Sequence, residues 1–157
     1  FADLLLPATT WGEKEGTVTN SERRISRVRA AVPPPGEARH DWRIVVDFAR
    51  RLERARGANG VGSEFENSAL TPFAVRPGTT LFPYQNPEAI WHEHRESTRG
   101  RDLDITGLSY PTLEHEGPQQ WPLREGESTG RKRLYEDGVF PTVDGKARFA
   151  ALPYKPL

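Results

Sequence analysis

Apolar residues recur with a helical period over residues 42–52, directly after Asp41. Spacings of three or four positions predict a helix with one buried face. Asp41 stands where a carboxylate caps the first turn of such a helix, so we expect it to be the N-cap. The apolar residues of the predicted buried face are Val45, Phe48, Ala49 and Leu52.

Two further helices are predicted later in the chain. Asn86 followed by Pro87 is a helix start, with asparagine as the cap and proline at the first helical position. This helix should continue to about residue 98. A third, short helix is expected over residues 110–116, because Gly117 and Pro118 follow it and stop a helix.

Extended structure is predicted at both ends of the chain. The short apolar run at residues 2–6, closed by Pro7, has the pattern of a buried parallel strand. Residues 23–29 alternate basic and apolar side chains, which fits an extended segment. Residues 131–135 and 147–152 flank two Asp-Gly turn signals and predict a C-terminal β-hairpin.

The composition indicates one loop-rich domain without net charge. Hydrophobic residues make up 35% of the 157 residues, and the chain has 14 glycines and 14 prolines. That hydrophobic fraction is below the typical ~45–50%, a figure that also counts glycine. Basic and acidic residues number 22 each, so no net charge directs the chain toward nucleic acid or an acidic membrane. No apolar run approaches the ~20 residues of a membrane span, and no signal peptide is visible.

Few residues in the sequence are candidates for catalytic groups or metal ligands. The chain has no cysteine, so it offers no thiolate to an iron-sulfur cluster or to another metal. His92 and His94 are two positions apart and would point away from each other on a helix, unlike a zinc-binding pair. No serine, histidine and acid form a recognisable nucleophile motif. We therefore expect neither a catalytic nor a metal-ligating residue.

The irregular loop at residues 8–20 has the features of a ligand site. It leaves the carboxyl end of the predicted first strand, where ligands collect in open α/β sheets. Gly12 and Gly16 allow a ligand to approach the backbone closely. Lys14, between them, is a point charge suited to phosphate. The loop therefore predicts a site for a phosphorylated cofactor.

Several irregular motifs occur in a specific order along the chain. They are ADLLLP at residues 2–7, WGEKEGTVTNSERR at 11–24, PGEARHDW at 35–42, RDLDITGL at 101–108, GPQQWP at 117–122 and FPTVDGKARF at 140–149. In order and spacing they resemble the molybdopterin oxidoreductases that bind two molybdopterin guanine dinucleotides. The later motifs are most similar to those of the assimilatory nitrate reductases. Residues 54–80 fall outside the resemblance.

The resemblance implies a fold, a cofactor and a reaction. The chain should be a partial α/β layer, with residues 1–53 as the cofactor-binding loop and first helix, 54–80 as an insertion or mobile loop, and 81–157 as the rest of the same domain. Lys14 and Asp41 correspond to cofactor-contacting residues. The cofactor would be molybdenum bis(molybdopterin guanine dinucleotide), and the reaction the reduction of nitrate to nitrite.

The resemblance also implies a larger parent enzyme. Its [4Fe-4S] cluster would be ligated outside this segment, and its location would be cytoplasmic. The chain starts with Phe1 inside a hydrophobic run and has no methionine. We interpret it as an excised piece, inactive in isolation, whose partners are the remainder of the catalytic subunit and an electron donor, with neither nucleic acid nor membrane as a partner.

Alternatives remain open at the level of sequence. Lys14 could simply pair with Glu13 or Glu15, and Asp41 could serve only as a helix cap. The parent could be a formate dehydrogenase-like member of the same family. A different class of function is a non-catalytic interaction module that uses the basic stretch Arg23 to Arg29.

Two other groups of residues are candidates for lesser roles. The first would lie against an iron-sulfur domain in the family or else form local ion pairs: Asn20, Glu22, Arg23 and Arg24. The second, Gln119-Gln120-Trp121-Pro122, could shape a pocket wall, but a tryptophan in such a setting favours a packing role.

Overall fold

The structure is a computed structural model that describes residues 1–58 and 80–155. Within these residues, three helices and three short strands are joined by long irregular segments, which confirms a loop-rich α/β fold. The strands form one sheet in the order β1-β2-β3, and β2 pairs antiparallel with β3 through Arg24 and Gln120. The elements are β1 Gly16–Thr19, β2 Arg24–Val28, α1 Asp41–Ala58, α2 Pro87–Ser97, α3 Tyr110–His115 and β3 Gln119–Gln120.

The chain divides into two compact units. The first unit contains Phe1–Val18 and Ser26–His94, and the second contains Thr19–Ile25 and Arg95–Leu157. Helix α1 and most of α2 belong to the first unit, whereas α3 and β3 belong to the second.

Helix α1 differs from its prediction at both ends. Asp41 is the first helical residue rather than the cap before it, because the amides of Arg43 and Ile44 already bond to the carbonyl of His40. At the other end the helix continues to Ala58, so residues 54–58 are helical and not the loop that the sequence predicted. Residues 59–79 of the predicted insertion lie outside the described residues.

The buried face of α1 is not the one predicted. Val46 is 5% exposed, whereas Val45, Phe48 and Leu52 are 64%, 66% and 48% exposed. Hydrogen bonds from Arg50 and Glu53 determine which face of α1 is buried. These two residues lie one and two turns beyond Val46, on the same side of the helix.

These two side chains bind the segment that precedes α2. Arg50 donates to the carbonyls of Phe82 at 2.8 Å and Tyr84 at 3.0 Å. Glu53 accepts from the amide of Leu81 at 2.8 Å and from the hydroxyl of Thr80 at 2.6 Å. The hydrogen bonds therefore turn Val46 inward and leave the larger apolar side chains on the outside.

The structure confirms the predictions of the two shorter helices. Asn86 accepts from the amide of Ala89 at 2.8 Å, and α2 begins at Pro87. Helix α3 begins after Ser109, whose hydroxyl accepts from the amide of Thr112 at 3.1 Å. Gly117 follows α3 with φ +76°, a conformation that favours glycine and ends the helix.

The prediction of a buried strand at residues 2–6 is wrong. Leu4, Leu5 and Leu6 are 72%, 81% and 48% exposed, and no strand forms there. Within the described ranges, this part of the chain pairs at a single parallel bridge, between Ala8 and Arg39. A buried parallel strand needs neighbours on both sides and helices over both faces, and one bridge does not supply them.

The prediction of a C-terminal hairpin is also wrong, although both of the predicted turns form. Residues 131–135 and 147–152 contain no strand. Asp137 accepts from the amide of Val139 at 3.1 Å, and Asp144 accepts from the amide of Lys146 at 3.3 Å. Each turn is thus closed by its own aspartate, a local bond that does not need paired strands.

The described residues of the second unit form an apolar core around a buried carboxylate. Asp104 is 4% exposed and accepts three hydrogen bonds, from the amide of Gly100 at 2.8 Å and from the amide and hydroxyl of Thr106 at 2.8 and 2.6 Å. Burial opposes ionisation, but the bonds from Thr106 and Gly100 outweigh it and lower the pKa of Asp104. The apolar side chains of the core are Ile25, Ile105, Leu108, Tyr110, Leu113 and Leu123.

Replacing Asp104 by alanine should destabilise the second unit by ~2–3 kcal/mol, because the buried amide and hydroxyl of Thr106 and the amide of Gly100 would lose their acceptor. Hydrogen exchange of the Gly100 and Thr106 amides measures this locally, and both should lose protection. Asp3→Ala, at an exposed position, is the control. Because the native pKa is lowered, the stabilisation is complete above the ordinary value of 3.8 and is lost as the pH falls through the native pKa. Unchanged protection in Asp104→Ala would contradict this role.

Candidate functional site

The loop singled out from the sequence is rigidly held. A 3-10 turn spans Trp11–Glu13. The Glu13 carboxylate accepts from the amide of Thr10 at 3.0 Å, and the Glu13 amide donates to the carbonyl of Thr10 at 3.1 Å. The carbonyl of Gly12 accepts from the amides of Ala31 and Val32 at 2.8 and 3.1 Å. These bonds fix the loop at both of its edges.

Lys14 and Asp41, the two site residues predicted from the sequence, are in direct contact. The distance from Lys14 Nζ to Asp41 Oδ2 is 2.8 Å, although the residues are 27 positions apart. Lys14 has an extended backbone, with φ −132° and ψ 164°. Asp41 reaches the contact because it opens α1.

The competing partners of Lys14 are occupied elsewhere. Glu13 is bonded to the Thr10 amide, and Glu15 lies 3.8 Å from Arg27. The simple pairing of Lys14 with an adjacent glutamate is therefore not what the structure shows. The side chain of Lys14 is 24% exposed and that of Asp41 is 61% exposed, so the pair is open on the Asp41 side.

The contact changes the acidity of the carboxylate. The hydrogen bond from Lys14 lowers the pKa of Asp41 below its ordinary value of 3.8; burial opposes this effect, and the positive charge of Lys14 adds a smaller lowering. Asp41 is consequently an ionised acceptor throughout the neutral range.

Lys14→Met should return the pKa of Asp41 toward 3.8. In the wild type the ion pair stabilises the fold fully above pH 3.8, and that contribution disappears as the pH falls through the lowered native pKa. A carboxyl-carbon NMR titration of the wild type and the variant measures the shift. Identical titration curves would show that Lys14 and Asp41 are not paired in solution.

A cavity of about 520 Å³ lies beside the loop. Its wall includes neighbours of both site residues, but neither Lys14 nor Asp41 itself. The side chains of His40 and Trp42 line it, and Nδ1 of His40 and Nε1 of Trp42 are buried without a hydrogen-bond partner. The full lining consists of Glu13, Glu15, residues 30–34, His40, Trp42, Arg43 and residues 85–87.

Arg23 and Asn20, from the group of candidates at residues 20–24, have a structural role in the second unit. The Arg23 guanidinium donates to the carbonyls of Trp121, Arg131 and Lys132, the last two at 3.1 and 2.8 Å. Asn20 accepts from the amides of Glu22 and Arg24 at 3.0 Å each. Their proposed position against an iron-sulfur domain stays a prediction.

Trp121 has the packing role that its sequence favoured. Its amide donates to the carbonyl of Arg23 at 2.9 Å, and its Nε1 donates to the hydroxyl of Thr19 at 3.0 Å. The Arg23 guanidinium lies 5.6 Å from the centre of the indole ring. Trp121 therefore anchors the turn at residues 20–24 to the strand β3 region.

The basic stretch is largely committed to internal contacts. The Arg27 side chain is 9% exposed and donates to the carbonyls of Gly16, at 3.0 Å, and Val28. Arg23 is likewise bound to carbonyls. These arginines do not form the free cationic surface that a nucleic-acid or acidic partner requires, which disfavours the interaction-module alternative.

Sequence reasoning missed Trp11 as a neighbour of the site. Its ring centre lies 5.0 Å from Lys14 Nζ. The spacing of three residues in a turn was the available signal, since i and i+3 side chains meet there. Within residues 1–58 and 80–155, no three His, Cys, Asp or Glu side chains are grouped to hold a metal. None of the helices in that part of the chain has the length and apolarity of a membrane span.

Lys14 and Asp41 thus place a glycine-flanked ammonium against a carboxylate at the start of α1. Residues 1–51 match the molybdopterin oxidoreductase family. The chain is therefore similar to the molybdopterin oxidoreductases, a family that implies a molybdenum-pterin cofactor.

Individual relatives agree along the whole chain. The assimilatory nitrate reductase of Haloferax mediterranei is 38% identical over 161 residues, covering 100% of this chain and 20% of the relative. The assimilatory nitrate reductase catalytic subunit of Bacillus subtilis is 35% identical, covering 99% of the chain and 18% of the relative. The F420-dependent formate dehydrogenase subunit alpha of Methanocaldococcus jannaschii is 33% identical, covering 99% and 19%. The chain thus spans about a fifth of the length of these relatives.

Proposed function

We propose that this chain is part of the cofactor-binding region of a molybdenum-dependent nitrate reductase. In this proposal Lys14 and Asp41 contact the guanine dinucleotide tail of a bis(molybdopterin guanine dinucleotide) cofactor. The observation that carries the proposal is their 2.8 Å contact on a rigid loop, since it concentrates a cation and a carboxylate at one point of the surface.

The two groups complement the two ends of a guanine nucleotide. Guanine presents N1–H and an exocyclic N2 amine as adjacent donors, and an ionised carboxylate accepts both. Lys14 provides the charge for a phosphate, and the start of α1 adds the positive end of a helix dipole. The Lys14 ammonium also neutralises Asp41, so a nearby phosphate meets less repulsion. Asp41 uses Oδ2 for Lys14, and a carboxylate retains capacity for further donors.

The bound cofactor would supply the molybdenum redox chemistry that reduces nitrate to nitrite. The residues of this chain would hold and orient the nucleotide tail of the cofactor. A [4Fe-4S] cluster would need ligands from elsewhere, because the chain has no cysteine. The partners in this scheme are the remainder of the catalytic subunit and an electron donor. The enzyme would be cytoplasmic, and the chain alone would have no turnover.

A formate dehydrogenase-like activity is the second candidate, favoured by the Methanocaldococcus jannaschii relative. The nitrate reductases above are the more similar proteins, which favours nitrate. Assaying the complete enzyme with nitrate and with formate decides between them: formate oxidation without nitrate reduction would replace the first proposal.

Lys14→Met in the complete subunit should reduce cofactor retention. Loss of one charge-assisted bond to phosphate corresponds to about 10- to 100-fold weaker binding. The purified variant should therefore contain less molybdenum and release less GMP on acid hydrolysis than the wild type. Lys155→Met, which removes an exposed lysine far along the sequence, is the matched control and should retain both. Equal molybdenum and GMP in both variants would exclude a role for Lys14 in holding the cofactor.

A further inference from the structure

Trp11 is a large aromatic residue held in an exposed position. Its side chain is 61% exposed, although it belongs to a turn fixed by the bonds of Thr10, Gly12 and Glu13. A tryptophan buries a large apolar area when it can, so a rigid turn that presents one to solvent indicates a surface for binding.

The indole lies next to both proposed cofactor residues. Lys14 Nζ is 5.0 Å from the centre of the Trp11 ring and 2.8 Å from Asp41 Oδ2. An indole has two faces, and Lys14 occupies one of them. The exposed area of Trp11 leaves room for a flat group on the other face.

We infer that Trp11 stacks on the guanine base of the nucleotide tail. This inference rests on the proposed function and assigns a residue to the face of the base, whereas Asp41 takes its edge and Lys14 its phosphate. Base-aromatic stacking and edge hydrogen bonding use different surfaces of a purine, so both operate together. The cation beside the ring strengthens the arrangement through its own attraction to the indole.

A purely positional role for Trp11 is distinguishable from stacking. If Trp11 only steadies Lys14, its loss weakens every phosphate ligand equally. If it stacks, its loss weakens ligands that carry a base and spares those without one. GDP and inorganic pyrophosphate are the two probes that separate these cases.

The test measures the dissociation constants of both probes by calorimetry for the 157-residue chain and its variants. Trp11→Leu should bind GDP about tenfold more weakly, within the range measured for base-aromatic stacking, and should bind pyrophosphate unchanged. Trp11→Phe, which keeps an aromatic face, should bind GDP within about threefold of the wild type. Phe149→Leu, at a residue that is 96% exposed in the second unit, is the control and should change neither constant.

Two results overturn the inference. One is an equal loss for GDP and pyrophosphate in Trp11→Leu, which makes Trp11 a positioning residue for Lys14. The other is unchanged GDP binding in Trp11→Leu while Lys14→Met and Asp41→Asn bind GDP weakly; the proposed function then stands without Trp11. If the wild type binds no GDP, or none of these substitutions alters GDP binding, the proposed function fails together with the inference.

Discussion

Asp41→Asn should weaken GDP binding about 100-fold, because one anionic acceptor that takes two donors is replaced by a neutral amide that takes one. The amide also places its own N–H donors against the donors of the guanine edge. The substitution removes the charge that Lys14 now pairs with, so pyrophosphate binding should stay the same or strengthen. A loss of GDP binding without a loss of pyrophosphate binding identifies Asp41 as the group that recognises the base.

Asp47→Asn is the matched control for Asp41→Asn. Asp47 lies on the same helix and pairs with Arg39 at 2.7 Å, so this variant also breaks an ion pair of α1. It should bind GDP as the wild type does. Comparable losses in the two variants would mean that Asp41 acts through the stability of the helix rather than through the nucleotide.

Gly130→Ala should destabilise the second unit by at least about 3 kcal/mol, the upper range for overpacking in a fixed environment. A Cβ atom at this position would lie 1.6 Å from the carbonyl oxygen of Gln120 and 2.6 Å from its carbon. Both atoms belong to the backbone of β3, so no side-chain rotation relieves the clash. The segment must shift away from β3.

Hydrogen exchange of the β2 and β3 amides measures the effect of Gly130→Ala, with a loss of protection expected. Gly12→Ala is the control, because a Cβ at Gly12 would meet nothing within 4 Å. Preserved exchange rates in Gly130→Ala would show that the close approach of residue 130 to Gln120 does not exist in solution.

The helices were predictable because their boundary signals are local. Asn86 before Pro87 and glycine at 117 determine helix ends through contacts within a few residues. The inner face of α1 was not predictable, since the periodicity of Val45 and Phe48 shows that a face is apolar but not which partner meets it. That choice depends on the bonds of Arg50 and Glu53 to a segment some 30 positions away.

The failed strand predictions have the same cause. Residues 2–6 have the composition of a buried strand, but pairing requires neighbours that the pattern does not specify. The Asp-Gly turns near the C-terminus formed as predicted. Each aspartate closes its own turn by a local hydrogen bond, so the turns do not require the flanking residues to pair as strands. Turn chemistry is local, whereas strand pairing is not.

The candidate site was predicted in part. Lys14 and Asp41 came from the family resemblance together with the chemistry of their side chains, and their 2.8 Å contact adds the geometry. The contact joins residues 27 positions apart, which no local pattern reveals. Trp11 was missed because an aromatic residue in a loop is usually interpreted as packing, and its exposure is visible only in the fold.

The central claim is that Asp41 recognises the guanine edge of the cofactor. Comparing the affinities for GDP and for inosine diphosphate (IDP), whose base is hypoxanthine, tests this claim most directly. Hypoxanthine lacks the exocyclic N2 amine of guanine, so one of the two bonds to the carboxylate is lost. The wild type should bind GDP about tenfold more tightly than IDP, which corresponds to one charge-assisted hydrogen bond, and Asp41→Asn should bind both alike. Equal affinity of the wild type for GDP and IDP, or an undiminished preference for GDP in Asp41→Asn, would contradict the account.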